Sequence, residues 1–160
     1  MSSFDEGVVF DCDVIGVKSR LKAAMFDRNC GMGTLQKRTS ITQQQLESAF
    51  ESLEYGNPEA VRIISVAAEG TQVSPNWVMS GLGENPLSKI GRLIQIAWET
   101  LYRMQISHEK GKQFEAWLKG RFGAPDFSGA NSERFRKNPP QSSESVSILY
   151  KEFEREMRKR

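Results

Sequence analysis

Apolar residues recur at spacings of three and four along most of this chain, and no useful stretch alternates apolar with polar residues. The clearest run comprises Leu87, Ile90, Leu93, Ile94, Ala97, Trp98, Leu101 and Met104. Spacing of this kind places apolar side chains on one face of a helix, whereas a half-buried strand needs strict alternation. The sequence therefore predicts an all-α fold.

The length and composition restrict the class of protein further. A chain of 160 residues suggests one domain, or one small domain with an extension. It has no apolar run of 18 residues, so no membrane span and no membrane partner is expected. The N-terminal stretch "MSSFDEGVVFDCDV" lacks the basic start of a secretory signal, and Cys12 and Cys30 are too few for a disulfide framework. We expect a cytoplasmic protein with reduced thiols.

The two halves of the chain differ in charge. Residues 1–84 contain seven basic and eleven acidic residues, a net charge of −4, whereas residues 85–160 contain fifteen and nine, a net charge of +6. A basic half can attract phosphate or acidic partners. It is equally typical of a solvated helical surface, and the sequence leaves both interpretations open.

The helical periods and the turn residues predict five helices in the first half. The first twelve residues are expected to be a flexible N-terminus, and residues 13–84 to form one domain. The predicted helices run from Val14 to between Asp27 and Gly31, from Met32 to Thr39, from Thr42 to about Leu53, from Pro58 to Gly70 as C-cap, and from the N-cap Ser74 to a close at Gly81 and Gly83.

The second half is predicted to be helical around one linker. Residues 85–123 are expected to form a helical hairpin whose second helix, from about Ser107, presents Phe114, Trp117, Leu118 and Phe122 on one face. Residues 124–144 are rich in Gly, Pro, Ser and Asn, which is typical of a linker. Residues 145–160 are predicted to form a C-terminal amphipathic helix.

The stretch "TLQKRTSITQQQLESAF", residues 34–50, contains two short helical patterns with only two or three residues between them. Such a pair is typical of a helix-turn-helix, in which the second helix lies in the major groove of DNA. The apolar residues fit this motif. Inward positions are predicted for Leu35, Ile41, Leu46 and Ala49.

The first turns of the second helix would then face DNA. We predict base contacts from Gln43, Gln44, Gln45 and Ser48, since an amide can pair bidentately with adenine. Phosphate contacts are predicted for Lys37, Arg38 and Thr42, with Thr42 also the helix N-cap. Lys18, Arg20 and Lys22 are expected to add to a locally basic face. The alternative, that a glutamine-rich helix start is merely a polar solvent face, remains open.

The block "PEAVRIISVAAEGTQVSPNWVMSGLGE", residues 58–84, resembles the end of the lambda-repressor-like helix-turn-helix domain of temperate-phage repressors. Residues that match the ending of that family are Thr71, Val73, Ser74, Asn76, Trp77, Val78, Ser80, Gly81 and Gly83. The resemblance covers roughly residues 14–84 and implies a five-helix domain that binds double-stranded DNA.

The chain departs from the pattern of that family at three positions. Gln36 stands where the family usually has a small residue, Thr39 where it has an aliphatic residue, and Ser40 where it has glycine in the turn. Gln36 must therefore be exposed or hydrogen-bonded. Trp77 is expected to be a structural residue of the core.

The tail decides between kinds of repressor. Many repressors of this family continue into a β-rich self-cleaving Ser-Lys peptidase, whereas the 76 residues from position 85 are predicted to be helical. We therefore expect a non-cleavable phage or prophage repressor that binds an inverted-repeat operator as a homodimer, with RNA polymerase as a further candidate partner. Self-association is assigned to the hairpin, because its apolar residues exceed what two helices can bury. The alternative is that these residues complete the core of the chain itself.

Catalysis finds little support. His108 is the single histidine, and no phosphate-binding glycine motif is present. We expect no enzyme activity, no metal and no cofactor. The rival function is a helical protein–protein adaptor that uses a helix-turn-helix scaffold, with the acidic first half as its interface.

Overall fold

The computed structural model describes residues 13–123 and 138–159, and every regular element within these ranges is a helix. The predicted all-α class is therefore confirmed. The chain divides into two compact units, residues 1–86 and residues 87–160. The predictions for residues 1–12 and for most of the linker, residues 124–137, lie outside the described residues. None of the described helices is long and apolar enough to cross a membrane.

The first unit contains five described helices. They are α1 (Val14–Asp27), α2 (Met32–Thr39), α3 (Gln43–Leu53), α4 (Pro58–Gly70) and α5 (Pro75–Ser80). These bounds agree with the predicted ones to within a residue or so. Helix α4 packs against α2, α3 and α5, while α1 packs against α3, α4 and α5.

Side-chain caps explain where several of these helices begin. Asp13 accepts a hydrogen bond from the backbone N–H of Gly16, and Asn57 accepts one from that of Glu59. Each cap satisfies a backbone donor that lacks a partner within the helix. Ser74 occupies the predicted N-cap position of α5, but its side chain makes no capping hydrogen bond. Pro75 at the first position, with its fixed φ, favours that helix start.

The apolar positions of the predicted helices form the core of the first unit. Val17, Leu21 and Ala24 of α1 are fully buried, and so is Ile64 of α4. Trp77 of α5 is 4% exposed, which confirms that it belongs to the core. The short α5 is thus held by burial of its tryptophan ring.

Gly70 does not have the predicted role of a left-handed C-cap. It is the last residue of α4, Thr71 follows in the right-handed region, and the positive φ of 67° falls at Gln72. Its lack of a side chain serves a different purpose. A Cβ at this position would lie 2.6 Å from Thr39 Cγ2 and 2.7 Å from Leu35 Cδ1. Glycine therefore allows α4 and α2 to approach each other closely.

The second unit contains three described helices, α6 (Lys89–Arg103), α7 (His108–Phe122) and α8 (Ser143–Arg158), and each contacts the other two. Helix α8 begins two residues before the predicted start at Ser145. Ser142 is its N-cap and accepts from the backbone N–H of Ser145. The predicted linker therefore extends only to residue 142.

Most of the apolar residues that were interpreted as a surplus for self-association are buried within the second unit, in which α8 packs against both α6 and α7. Leu93, Ile94, Trp98, Leu101 and Phe122 are all buried within the described second unit. Tyr150 and Phe153 of α8 lie against the ring of Phe114, with centroids 5.2 and 5.3 Å away. Trp117 is partly exposed, and the Arg121 guanidinium lies 5.1 Å from its ring centroid. Helix α8 contacts both helices of the predicted hairpin, which favours the alternative that these residues complete the core of the chain itself; self-association of the hairpin stays a prediction.

Candidate nucleic-acid interface

The connection between α2 and α3 consists of Ser40, Ile41 and Thr42. Ser40 adopts the left-handed conformation, with φ 66° and ψ 10°, and its N–H donates to the carbonyl of Gln36 at 2.8 Å. A single left-handed residue thus ends α2 and redirects the chain into α3.

Thr39 stabilises the same turn through its side chain. Its hydroxyl donates to the carbonyl of Leu35 at 2.8 Å and accepts from the N–H of Ile41 at 3.1 Å. An aliphatic residue could fill the same space but could not accept from Ile41. The Thr39 hydroxyl therefore has a local structural role in this turn.

One face of this helix pair is buried in the first unit. Leu35, Ile41, Leu46 and Ala49 are all buried, as predicted. Gln36 is exposed, which resolves the expected difficulty of placing an amide there. Burial of Leu46 and Ala49 fixes the rotation of α3, so its opposite face points to solvent.

The outward face of α3 carries both neutral polar and acidic side chains. Gln43, Gln44 and Ser48 are exposed, and Glu47 and Glu51 lie exposed beside them. Gln43 Nε2 donates to Glu47 Oε1 at 3.1 Å. The Gln44 amide has no hydrogen-bond partner among the described residues. Sequence reasoning selected the glutamines and Ser48 but missed Glu47, although the spacing of four residues from Gln43 could have indicated the pair.

Gln45 differs from its two neighbours although it is also exposed. Its Oε1 accepts from the backbone N–H of Thr42 at 2.8 Å, while its own N–H donates to Thr42 Oγ1 at 3.1 Å. This is a capping box, which fixes the start of α3. The structure thus confirms Thr42 as N-cap and engages the Gln45 side chain in helix capping.

Lys37 and Arg38 lie exposed in the last turn of α2. Arg38 Nη1 donates to the carbonyl of Gly70 at 2.8 Å and lies 3.9 Å from Cys30 Sγ. Arg38 therefore ties α2 to the end of α4. Burial raises the pKa of the Cys30 thiol, and the nearby Arg38 only partly opposes this effect.

The basic residues of α1 have structural contacts of their own. Lys18 Nζ lies 5.7 Å from the centroid of the Phe50 ring. Burial lowers the pKa of the Lys18 ammonium, and the carboxylates of Glu51 and Glu47 oppose that effect. Arg20 Nε donates to the carbonyl of Val78 at 2.7 Å, and so binds the C-terminal turn of α5. Lys18 and Arg20, two residues of the expected basic face, therefore make contacts within the first unit.

Residues 13–123 and 138–159 contain no group of three or more His, Cys, Asp or Glu side chains placed to hold a metal ion. Comparisons of the chain with family models, with curated proteins and with solved structures found no match.

Proposed function

We propose that the first unit is the DNA-binding domain of a transcriptional regulator, and that the chain acts as a phage or prophage repressor. The observation that carries this proposal is the α2–α3 pair. A three-residue turn joins two short helices, one apolar face is buried, and the first turns of α3 are exposed. This is the arrangement by which a helix-turn-helix presents its second helix to the major groove.

The exposed chemistry of α3 suits base contacts. Gln44 carries an amide that has no competing partner among the described residues, and Gln43 and Ser48 lie on the same outward face. A glutamine amide can bond bidentately to N6 and N7 of adenine. In this proposal, Gln43, Gln44 and Ser48 contact base edges, and Gln45 acts mainly through the helix start.

Phosphate contacts are assigned to side chains beside α3. Lys37 is exposed in the last turn of α2, and Thr42 lies at the start of α3. Arg38 is exposed too, but a phosphate contact would compete with or add to its bond to Gly70 O. Residues 1–84 carry a net charge of −4, so we expect weak binding to random DNA. A preference for one sequence would come from the base contacts of α3.

Dimerisation is part of the proposal because one helix-turn-helix contacts only a few base pairs. Two copies on an inverted repeat would supply the missing specificity. We do not propose the aromatic core of the second unit as the dimer contact, because α6, α7 and α8 already bury it among themselves. RNA polymerase remains a candidate partner of the DNA-bound repressor.

Selection from a random pool of duplex DNA tests this function. We expect the full chain to enrich one motif, arranged as an inverted repeat with half-sites about one helical turn apart, on the order of 34 Å. Gln44→Ala should weaken the enrichment at one base pair of each half-site. A full chain that enriches no motif at low salt would contradict the proposal.

The alternative function is a protein–protein adaptor on the same scaffold. The observation in its favour is the pair of exposed carboxylates, Glu47 and Glu51, on the outward face of α3. Chromatography on immobilised duplex DNA separates the two functions. A repressor is retained on the enriched duplex at salt concentrations that release it from a random duplex, whereas an adaptor whose basic second half binds phosphates shows no such difference.

A further inference from the structure

The hydrogen bond between Gln43 and Glu47 determines which groups the outward face of α3 offers to a partner. Gln43 Nε2 donates to Glu47 Oε1 at 3.1 Å, one helical turn away. One of the amide donors of Gln43 is thereby used within the helix. The oxygen of the Gln43 amide and the carboxylate of Glu47 both remain acceptors, so this part of the face is rich in acceptors.

Acceptors on a protein select donors on a base. In the major groove, cytosine presents its N4 amino group, and adenine presents its N6 amino group beside the acceptor N7. Guanine presents two acceptors, N7 and O6, and thymine presents the acceptor O4. A carboxylate therefore meets repulsion from guanine and thymine, and its second oxygen meets repulsion from adenine N7. Cytosine is the base without such a conflict.

We propose that Glu47 is a specificity-determining residue that accepts a hydrogen bond from the N4 amino group of a cytosine in each operator half-site. This inference rests on the proposed DNA-binding function. The bond from Gln43 holds the carboxylate in place, so Gln43 is its positioning residue. Glu47 lies in the second turn of α3, on the exposed face that also carries Gln44 and Ser48.

The charge of Glu47 adds to the selection. Burial lowers the pKa of the Lys18 ammonium, and the carboxylates of Glu51 and Glu47 both oppose that effect, so the charge of Lys18 interacts with two carboxylates. An exposed carboxylate repels the phosphates of every DNA sequence, and a hydrogen bond from a base donor offsets that cost only at sites that present the donor. Glu47 therefore acts chiefly by rejecting sites that lack the cytosine.

The experiment is selection from a random duplex pool by the full chain, by Glu47→Gln and by the matched control Glu51→Gln. The control removes the same charge from the same face, also near Lys18, but one turn farther from the start of α3. We expect the wild type and Glu51→Gln to prefer cytosine at one position by roughly tenfold over other bases. Glu47→Gln should lose that preference and accept adenine there, while binding random DNA more tightly.

A second measurement isolates the contact. On the enriched duplex, replacing that cytosine by 2-pyrimidinone, which lacks the N4 amino group, should weaken wild-type binding roughly tenfold and leave Glu47→Gln nearly unchanged. Melting temperatures of both variants confirm folding. An enriched motif that Gln44→Ala disturbs and Glu47→Gln leaves intact would overturn this inference alone. A wild-type chain that enriches no motif would overturn the proposed function together with it.

Discussion

Gly70 at the end of α4 lies so close to Leu35 of α2 that a Cβ atom on Gly70 would be 2.7 Å from Leu35 Cδ1. The carbonyl of the same residue accepts from Arg38 Nη1 at 2.8 Å. Gly70 is therefore a point of close contact between α4 and α2, and α3 packs directly against the same helix α4.

Gly70→Ala should destabilise the first unit. Adding a methyl group forces Leu35 or Thr39 to move, and such overpacking costs about 1–3 kcal/mol. Gly33→Ala is the matched control, because it lies in α2 with nothing within 4 Å of the added Cβ. It should leave the free energy of unfolding unchanged or raise it by up to about 1 kcal/mol. Urea denaturation measures both, and equal effects of the two substitutions would count against the close approach.

Ser40→Gly should stabilise the first unit by up to about 1 kcal/mol. Ser40 has a φ of 66°, a conformation that costs a residue with a Cβ more than it costs glycine. Ser40→Val should destabilise the same turn, since a β-branched residue is poorly tolerated there. Thermal unfolding of the wild type and the two variants gives their order of stability. A valine variant as stable as the glycine variant would show that Ser40 is not strained.

Gln44→Ala should weaken DNA binding without loss of stability, whereas Gln45→Ala should lower stability. Gln44 is exposed without a side-chain hydrogen bond to a described residue, so its replacement should preserve the melting temperature. It should lower affinity for the selected operator by about 1–3 kcal/mol. Gln45→Ala removes one hydrogen bond of the capping box and should cost about 0.5–1 kcal/mol of stability. If Gln45→Ala instead weakens binding as much as Gln44→Ala at full stability, Gln45 contacts the base pairs directly.

The sequence predicted the first unit well because its information there is local. Helix starts follow from local signals such as the N-cap Thr42, and the buried faces follow from the spacing of residues such as Leu46 and Ala49. Glycine after an apolar helix is typical of a C-cap, so Gly70 was assigned that role. Its contact with Leu35 joins residues far apart in sequence, and no local pattern reveals such an approach.

In the second unit, the sequence likewise predicted a helix but not the helices against which it packs. The period of α8 was evident from Val146, Leu149, Tyr150 and Phe153, but the sequence did not show where that apolar face packs. A Gly-, Pro- and Ser-rich segment separates it from Phe114, its aromatic partner, so no local pattern links the two. At the candidate site, Gln45 was grouped with Gln43 and Gln44 because the three side chains are identical. Only the capping geometry separates them.

Tyr102 should make the stability of the second unit fall at high pH. Burial raises the pKa of its hydroxyl well above the ordinary value of 10.0, with a smaller contribution from Glu115. As pH rises past 10, the unfolded chain loses this proton before the folded chain does. The stabilising effect is therefore complete below pH 10 and declines above it, by about 1 kcal/mol per pH unit.

Urea denaturation of the wild type and of Tyr102→Phe at pH 9 and pH 11 checks this dependence. The phenylalanine variant should lose less stability between the two values. Tyr55→Phe is the control. A hydrogen bond with Glu54 and the charge of Glu54 raise the pKa of the Tyr55 hydroxyl, but the ring is 74% exposed in the first unit and solvent screens that interaction. Equal losses of stability in the wild type and in Tyr102→Phe between pH 9 and pH 11 would show that Tyr102 does not cause the fall in stability at high pH.

The central claim is that the outward face of α3 contacts base pairs. Its most direct test is a titration of the isotope-labelled chain with the enriched duplex, followed by nuclear magnetic resonance of backbone and side-chain amides. The largest shift changes should fall on Gln43, Gln44, Glu47 and Ser48, with smaller ones at Lys37, and should fade as salt is raised. Changes confined to the basic second unit, with α3 unaffected, would contradict the account.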